Sequence, residues 1–126
     1  MILHITTRDR WETAASTGFY YDHSLHIEGF IHCSTPQQII SSANKHYLGQ
    51  SGLVLLSIAT EKVTAPIKYE DSYESGQAFP HIYGLLNTDA VMSVVSFPTN
   101  EDGTFNLPAD FETLPDIQVG IESENE

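Results

Sequence analysis

The run Leu53-Val54-Leu55-Leu56-Ser57-Ile58 is apolar at every position but Ser57. A short, continuous apolar run of this kind reads as a central strand buried on both faces, so the fold must place a layer on each side of it. Other segments have the composition to do so. Ile2-Leu3-His4-Ile5 is a short strand candidate, and residues 67–71, 81–86 and 91–97 read as further strands, with Pro66 and Pro80 at strand starts rather than interiors. Thr6 or Thr7 caps a helix that runs through Thr17 to a C-terminal Gly18, with Trp11, Ala14 and Ala15 as its apolar stripe. Residues 18–21 return as strand or irregular chain, and residues 22–28 read as a loop. Residues 30–34 read as a further strand leading into Thr35-Pro36-Gln37-Gln38, where Thr35 is an N-cap, Pro36 fits the first helical position and Gln38 completes a capping box. Ile39, Ile40, Ala43 and Tyr47 keep helical spacing up to Gly49. Helices in the first half and strands in the second predict an α+β fold.

The 126 residues fit one domain, expected over residues 1–115, followed by an acidic tail at 116–126 in which the last residues fray. The stretch from Leu107 to Leu114 is expected to pack. The single cysteine, Cys33, excludes an internal disulfide and fits a reducing compartment. No apolar run approaches membrane-spanning length, and Met1-Ile2-Leu3-His4 lacks the basic start of a signal peptide, so no membrane partner and a cytoplasmic location are expected. Net charge is -12, and all five basic residues, Arg8, Arg10, Lys45, Lys62 and Lys68, precede Glu70. That balance opposes nucleic-acid grooves, whose binding depends on clustered Lys and Arg. A ligand with one or two phosphates stays compatible with it, through Arg8 and Arg10 near a helix start.

Two histidine motifs concentrate the chemistry: Gly29-Phe30-Ile31-His32-Cys33-Ser34-Thr35 and Phe79-Pro80-His81-Ile82-Tyr83-Gly84. An imidazole inside an apolar strand needs a partner or a job. Alternation puts Phe30, His32 and Ser34 on one face and Ile31 and Cys33 on the other. His32 and Ser34 then address one cleft, or His32 is a core histidine bonded to backbone and Ser34 a turn residue. Cys33 points away from His32 and reads as a small buried hydrophobe rather than a nucleophile. His81 shares a face with Tyr83, with Gly84 allowing a close backbone approach. The pair either binds a polar ligand edge or is satisfied within the sheet.

Glu70 and Asp71 face opposite ways, so only one looks into a shared cleft, where a carboxylate would stabilise a developing cation or orient a ribose hydroxyl. His4 and Thr6 share a face of the first strand. His32, His81 and Glu70 together would make a metal-ligand set, but no His-x-x-x-His or similar local spacing supports one, and no metal is expected. Phosphate-loop, dinucleotide and serine-hydrolase motifs are absent. Nothing in the sequence bears on oligomeric state.

Trp11, the stretch Gly-Phe-Ile-His-x-Ser-Thr-x-x-Gln at residues 29–38, the apolar strand at 53–58, Glu70, and Phe-Pro-His-x-Tyr-Gly at residues 79–84 together resemble the bacterial "domain of unknown function 952" family. The resemblance spans roughly the first hundred residues, as a single small domain would. That family is similar in fold to the ADP-ribosyltransferases, which grip NAD between two small sheets. The resemblance therefore implies a small split, curved mixed sheet with two main helices. His4 and Thr6 are similar to a strand-one histidine and hydroxyl that hold the nicotinamide ribose. The segment from Ile31 to Ser34, with the helix and strand after it, resembles the RNA 2'-phosphotransferases. Leu-His-Ile-Thr lacks the glycine usual after that histidine, and the phosphotransferase arginines have no clear counterparts, since the chain has no arginine after Arg10.

The resemblance implies a cleft that binds a small-molecule ligand, NAD or a related nucleotide, for ADP-ribosyl transfer. His32 and Ser34 would orient a reacting hydroxyl, and Glu70 would stabilise an oxocarbenium-like centre. His4 and Thr6 would hold a ribose, and His81 and Tyr83 would contact the ligand. The alternatives are a non-catalytic module for a small metabolite or peptide end, and an RNA 2'-phosphotransferase, which the missing arginines and the negative charge disfavour.

Overall fold

Residues Leu53–Ile58 are buried at every position and form the middle strand of a three-stranded antiparallel sheet. The structure, a computed structural model, describes residues 1–72 and 74–112. Leu114, the expected domain end at 115 and the acidic tail lie outside the described residues. In chain order the elements are β1 (Ile2–Thr7), α1 (Arg8–Thr17), β2 (Phe19–Tyr20), α2 (His23–Glu28), β3 (Ile31–His32), α3 (Ile39–His46), β4 (Leu53–Ile58), β5 (Ile67–Glu70), β6 (Phe79–Ile82), β7 (Leu86–Asn87), β8 (Val91–Ser96) and α4 (Ala109–Glu112).

Three small sheets share the strands, in the orders β1-β4-β8, β2-β7 and β3-β6-β5. Among the described residues every strand pairing is antiparallel, so the fold is α+β as expected but its described sheets are not mixed. β4 separates two apolar clusters. Val54, Leu56 and Ile58 face one with Ile2, Tyr20, Ile31 and Ile82, and Leu55 faces the other with Leu3, Ile39, Phe97 and Phe105. Each such side chain contributes about 1.5–3 kcal/mol on burial, so this two-sided strand is the main stabilising element. In the register, His4 pairs with Leu56 and Thr6 with Val54, which puts both polar side chains on the first cluster's face.

Local signals account for the helix ends. Thr7 caps α1 by accepting a hydrogen bond from Arg10 N at 3.2 Å, and Gly18, at φ 91°, closes it. Ala14 is buried on this helix, whereas Ala15 is exposed and outside the stripe. Gln38 accepts from Thr35 N at 3.0 Å, the returning half of the capping box, but regular α-helix begins only at Ile39.

The structure corrects four expectations. Residues 22–28 are not a loop: Asp22 caps α2 by accepting from Ser24 N at 3.0 Å, and Gly29 ends it at φ 88°. The strand at 30–34 shortens to Ile31–His32, with a single bridge between Leu3 and Ser34 beyond it. Pro80 lies inside β6, opposite Tyr69, and its carbonyl accepts from Cys33 N at 3.0 Å; the proline's missing N–H is therefore on the β3 side, past the end of β3 at His32, and costs the β5 ladder no bond. The single strand at 81–86 breaks into β6 and β7, because at Gly84 the chain passes so close to Ala65 that a Cβ would sit 2.9 Å from the Ala65 Cβ. Leu107 packs as expected, alongside buried Phe111. Among the described residues no helix is long and apolar enough to cross a membrane.

Candidate functional site

Where β1 meets β3, Leu3 and Ser34 exchange backbone hydrogen bonds of 2.7 and 2.8 Å, joining two sheets at one point. Beside that seam, and under α3, lies a cleft of 480 Å³. Its size falls within the roughly 300–1,000 Å³ usual for small-molecule sites. His4, His32, Ser34 and His81 all line it. Thr6, Glu70 and Tyr83 do not, although each is bonded into a network that reaches a residue that does.

His32 and His81 face each other across the β3–β6 ladder, their ring centroids 5.5 Å apart. Phe30 touches both rings: it stacks on His81 at 4.0 Å and 15° and meets His32 edge-on at 4.9 Å. His32 Nε2 lies 2.8 Å from Glu28 Oε1, so the last turn of α2 supplies its carboxylate. Burial pushes the His32 imidazole below its ordinary pKa, against the pull of Glu28 upward. Ser34 is buried and its Oγ donates weakly to Ser42 Oγ at 3.4 Å.

His81 is 1% exposed. Its Nδ1 lies 2.9 Å from Glu70 Oε1, and the same oxygen accepts from the Tyr83 hydroxyl at 2.6 Å. These bonds, that from Tyr83 first, hold the Glu70 carboxyl below the usual range and push the Tyr83 phenol up. The face shared by His81 and Tyr83 thus converges on the end of β5. Asp71 turns the other way and accepts from Ser75 N and Gly76 N at 2.7 and 2.8 Å.

His4 belongs to a second polar cluster. Its Nδ1–H donates to the His32 carbonyl at 2.5 Å, and its Nε2 lies 2.8 Å from the Tyr20 hydroxyl and 3.3 Å from Asp22 Oδ2. The Tyr20 hydroxyl donates to Asp22 at 2.8 Å and lies 2.8 Å from Thr6 Oγ1. Burial works against the Asp22 charge, but the His4 partner, Ser24 N–H and the Tyr20 hydroxyl outweigh it and hold the carboxyl well below its ordinary range. Burial and the adjacent Asp22 charge push the Tyr20 phenol up. Cys33 is buried on the opposite face from His32, and burial pushes its thiol up as well.

Several cleft residues lie outside the two histidine motifs. Ser42, Lys45 and His46 of α3, with Glu28 of α2, share the wall with His32 and His81. Their one signal in the sequence is the i, i+3 and i, i+4 spacing of Ser42, Lys45 and His46 along one helix. Arg8 and Arg10 are not part of the wall: Arg8 donates to Ser96 Oγ at 2.8 Å, and Arg10 lies 4.0 Å from Asp22. Among the described residues, no three His, Cys, Asp or Glu side chains gather as a metal site. Glu70 spends its contact oxygen on His81 Nδ1 and Tyr83 instead.

Residues 5–94 match the family described as "Protein of unknown function (DUF952)". The chain belongs to this family. Two solved structures of protein CC0527 from Caulobacter crescentus share its fold. The crystal structure has a TM-score of 0.77 at 32% identity, over 84% of this chain and 93% of that one. The solution structure has a TM-score of 0.71 at 32% identity, over 82% and 89% of the two chains. No curated protein matches the chain.

Proposed function

We propose that this member of the DUF952 family binds a small polar, phosphate-bearing ligand in the cleft beneath α3. NAD or a related nucleotide is the specific candidate, and ADP-ribosyl transfer the reaction class that goes with it. The observation that carries the reading is the convergence of His32, Ser34 and His81 with Lys45 and His46 on one concave wall. In a chain of net charge -12, the described residues of this wall set one lysine and four imidazoles against a single acid, Glu28. On this wall Lys45 offsets Glu28, so an anion is not repelled here as it is by the rest of the acidic surface. The split between the β1-β4-β8 and β3-β6-β5 sheets supports the likeness to the ADP-ribosyltransferase fold.

In this reading His32 and Ser34 contact the ligand, Lys45 and His46 take its phosphate, and Tyr83 acts through Glu70. His4 and Thr6 hold the frame rather than a ribose, since both His4 nitrogens already have protein partners. With Oε1 taken by His81 and Tyr83, Glu70 acts through His81 rather than by direct stabilisation of an oxocarbenium centre. Titration of isotope-labelled protein with NAD tests the assignment. Shifts at His32, His81, Lys45 and His46 with a dissociation constant below millimolar are expected, and unmoved cleft resonances at millimolar NAD reject it. Release of nicotinamide, lost in His32→Ala, separates transfer from mere binding.

A further inference from the structure

Of the two His81 ring nitrogens, Nδ1 has a partner and Nε2 has none among the described residues, although the residue is 1% exposed. Buried polar atoms are nearly always satisfied, and an orphan at a cleft points to a ligand, a water or a reacting group. The ring is fixed on two sides. Phe30 stacks on its face at 4.0 Å, and Glu70 Oε1 takes Nδ1 at 2.9 Å. A carboxylate oxygen that also accepts from Tyr83 at 2.6 Å only accepts, so Nδ1 carries the proton. In the neutral ring the lone pair is then on Nε2. Glu70 and Tyr83 are off the cleft wall while His81 is on it, so the edge turned from Glu70, the Nε2 edge, is the one that meets the cleft.

We propose that His81 Nε2 is the proton acceptor of the cleft, taking the hydrogen of a hydroxyl on a sugar-phosphate ligand, with Glu70 and Tyr83 as positioning residues. This rests on the ligand class proposed above and assigns that ligand's hydroxyl a specific atom. As the proton moves, the ligand O–H bond breaks, the Nε2–H bond forms, and the electron pair stays on the oxygen, which becomes the stronger nucleophile. The imidazolium formed is balanced by the Glu70 carboxylate already at Nδ1. Lys45 and His46, on the α3 wall, hold the phosphate end. A donor such as a hydroxyl suits this atom because a bare Nε2 accepts a hydrogen bond and has none to offer a carbonyl or phosphate oxygen.

The test is long-range proton–nitrogen spectroscopy of histidine-labelled full-length protein, with ADP-ribose as probe. Expected in the free protein is a His81 ring with its proton on Nδ1 and a bare Nε2. ADP-ribose should move the Nε2 resonance while His23 and His26 stay in place. Glu70→Gln, which keeps the side chain's size and so the fold, should mix the tautomers. It should weaken ADP-ribose binding several-fold, and His81→Gln should weaken it about tenfold, the loss of one good hydrogen bond. A ring protonated on Nε2 alone in the free protein overturns the proposal. If ADP-ribose shifts His46 but not His81 Nε2, the cleft stands and the proton acceptor falls. If no cleft resonance moves, the ligand class itself is wrong and the proposal falls with it.

Discussion

The molecule builds the same three groups, an imidazole, a phenol and a carboxylate, into two clusters with opposite outcomes. In one, His4 meets Tyr20 and Asp22; in the other, His81 meets Tyr83 and Glu70. Both histidines are almost fully buried, at 3% and 1% exposure. The difference lies in how far each network is closed. His4 spends Nδ1 on the His32 carbonyl and Nε2 on Tyr20 and Asp22, so its ring ties β1 to β3 and to the start of α2. In the other cluster the phenol and the imidazole both turn to the same carboxylate oxygen, which leaves Nε2 of the cleft-lining His81 with no partner among the described residues. A closed polar network rigidifies, and a network short by one bond is available for chemistry. Histidine, tyrosine and carboxylate in one place are therefore not by themselves a site; the count of satisfied atoms decides.

That contrast is open to breakage, and the largest effect belongs to the closed cluster. Asp22→Ala strips His4 and Tyr20 of a shared, half-buried acceptor and removes the α2 cap, and should cost about 3 kcal/mol in urea unfolding. Tyr20→Phe should cost about 1–3 kcal/mol, since it leaves the Asp22 and His4 atoms facing a ring edge. Thr6→Val, nearly isosteric, removes only one of the phenol's neighbours and should cost about 1 kcal/mol. Glu70→Gln should move the unfolding midpoint least of all, while changing ligand binding and the His81 tautomer most. If Glu70→Gln unfolds the protein as readily as Asp22→Ala, the two clusters are the same kind of structure and the contrast fails.

Acid titration sharpens the same comparison. The Asp22 carboxyl is depressed in the folded protein, so below about pH 4 the unfolded chain binds the proton that the folded chain does not. Its stabilisation is thus fully present above that pH and is lost as pH falls further. Stability curves for wild type and Asp22→Asn should therefore run apart at neutral pH and converge in acid; parallel curves would deny Asp22 its place in the closed cluster.

Much of this arrangement is legible in the residues themselves. Strand alternation separates His32 and Ser34 from Cys33 and couples His81 to Tyr83, because side-chain direction in a strand depends only on parity. The Thr7 and Gly18 caps and the Gln38 half of the capping box are equally local. What alternation does not carry is the partner across the chain. The pairing of His4 with Tyr20 and Asp22 spans a helix and a turn, and Glu28 and Lys45 reach the cleft only through the angle between sheets. Asp22 does have a local signature, an Asp ahead of Ser24 with Gly29 closing a short helix, which the polar composition of residues 22–28 conceals. Pro80 departs from expectation for the opposite reason: its missing donor falls where the β3 pairing has already ended, which only the register across the chain reveals.

The central claim, one ring closed and one open, comes down to how two imidazoles answer a single addition. In a histidine nitrogen spectrum of the full-length protein, ADP-ribose should shift His81 Nε2 and leave both His4 nitrogens where they were. A shift at His4 with none at His81 would contradict the claim.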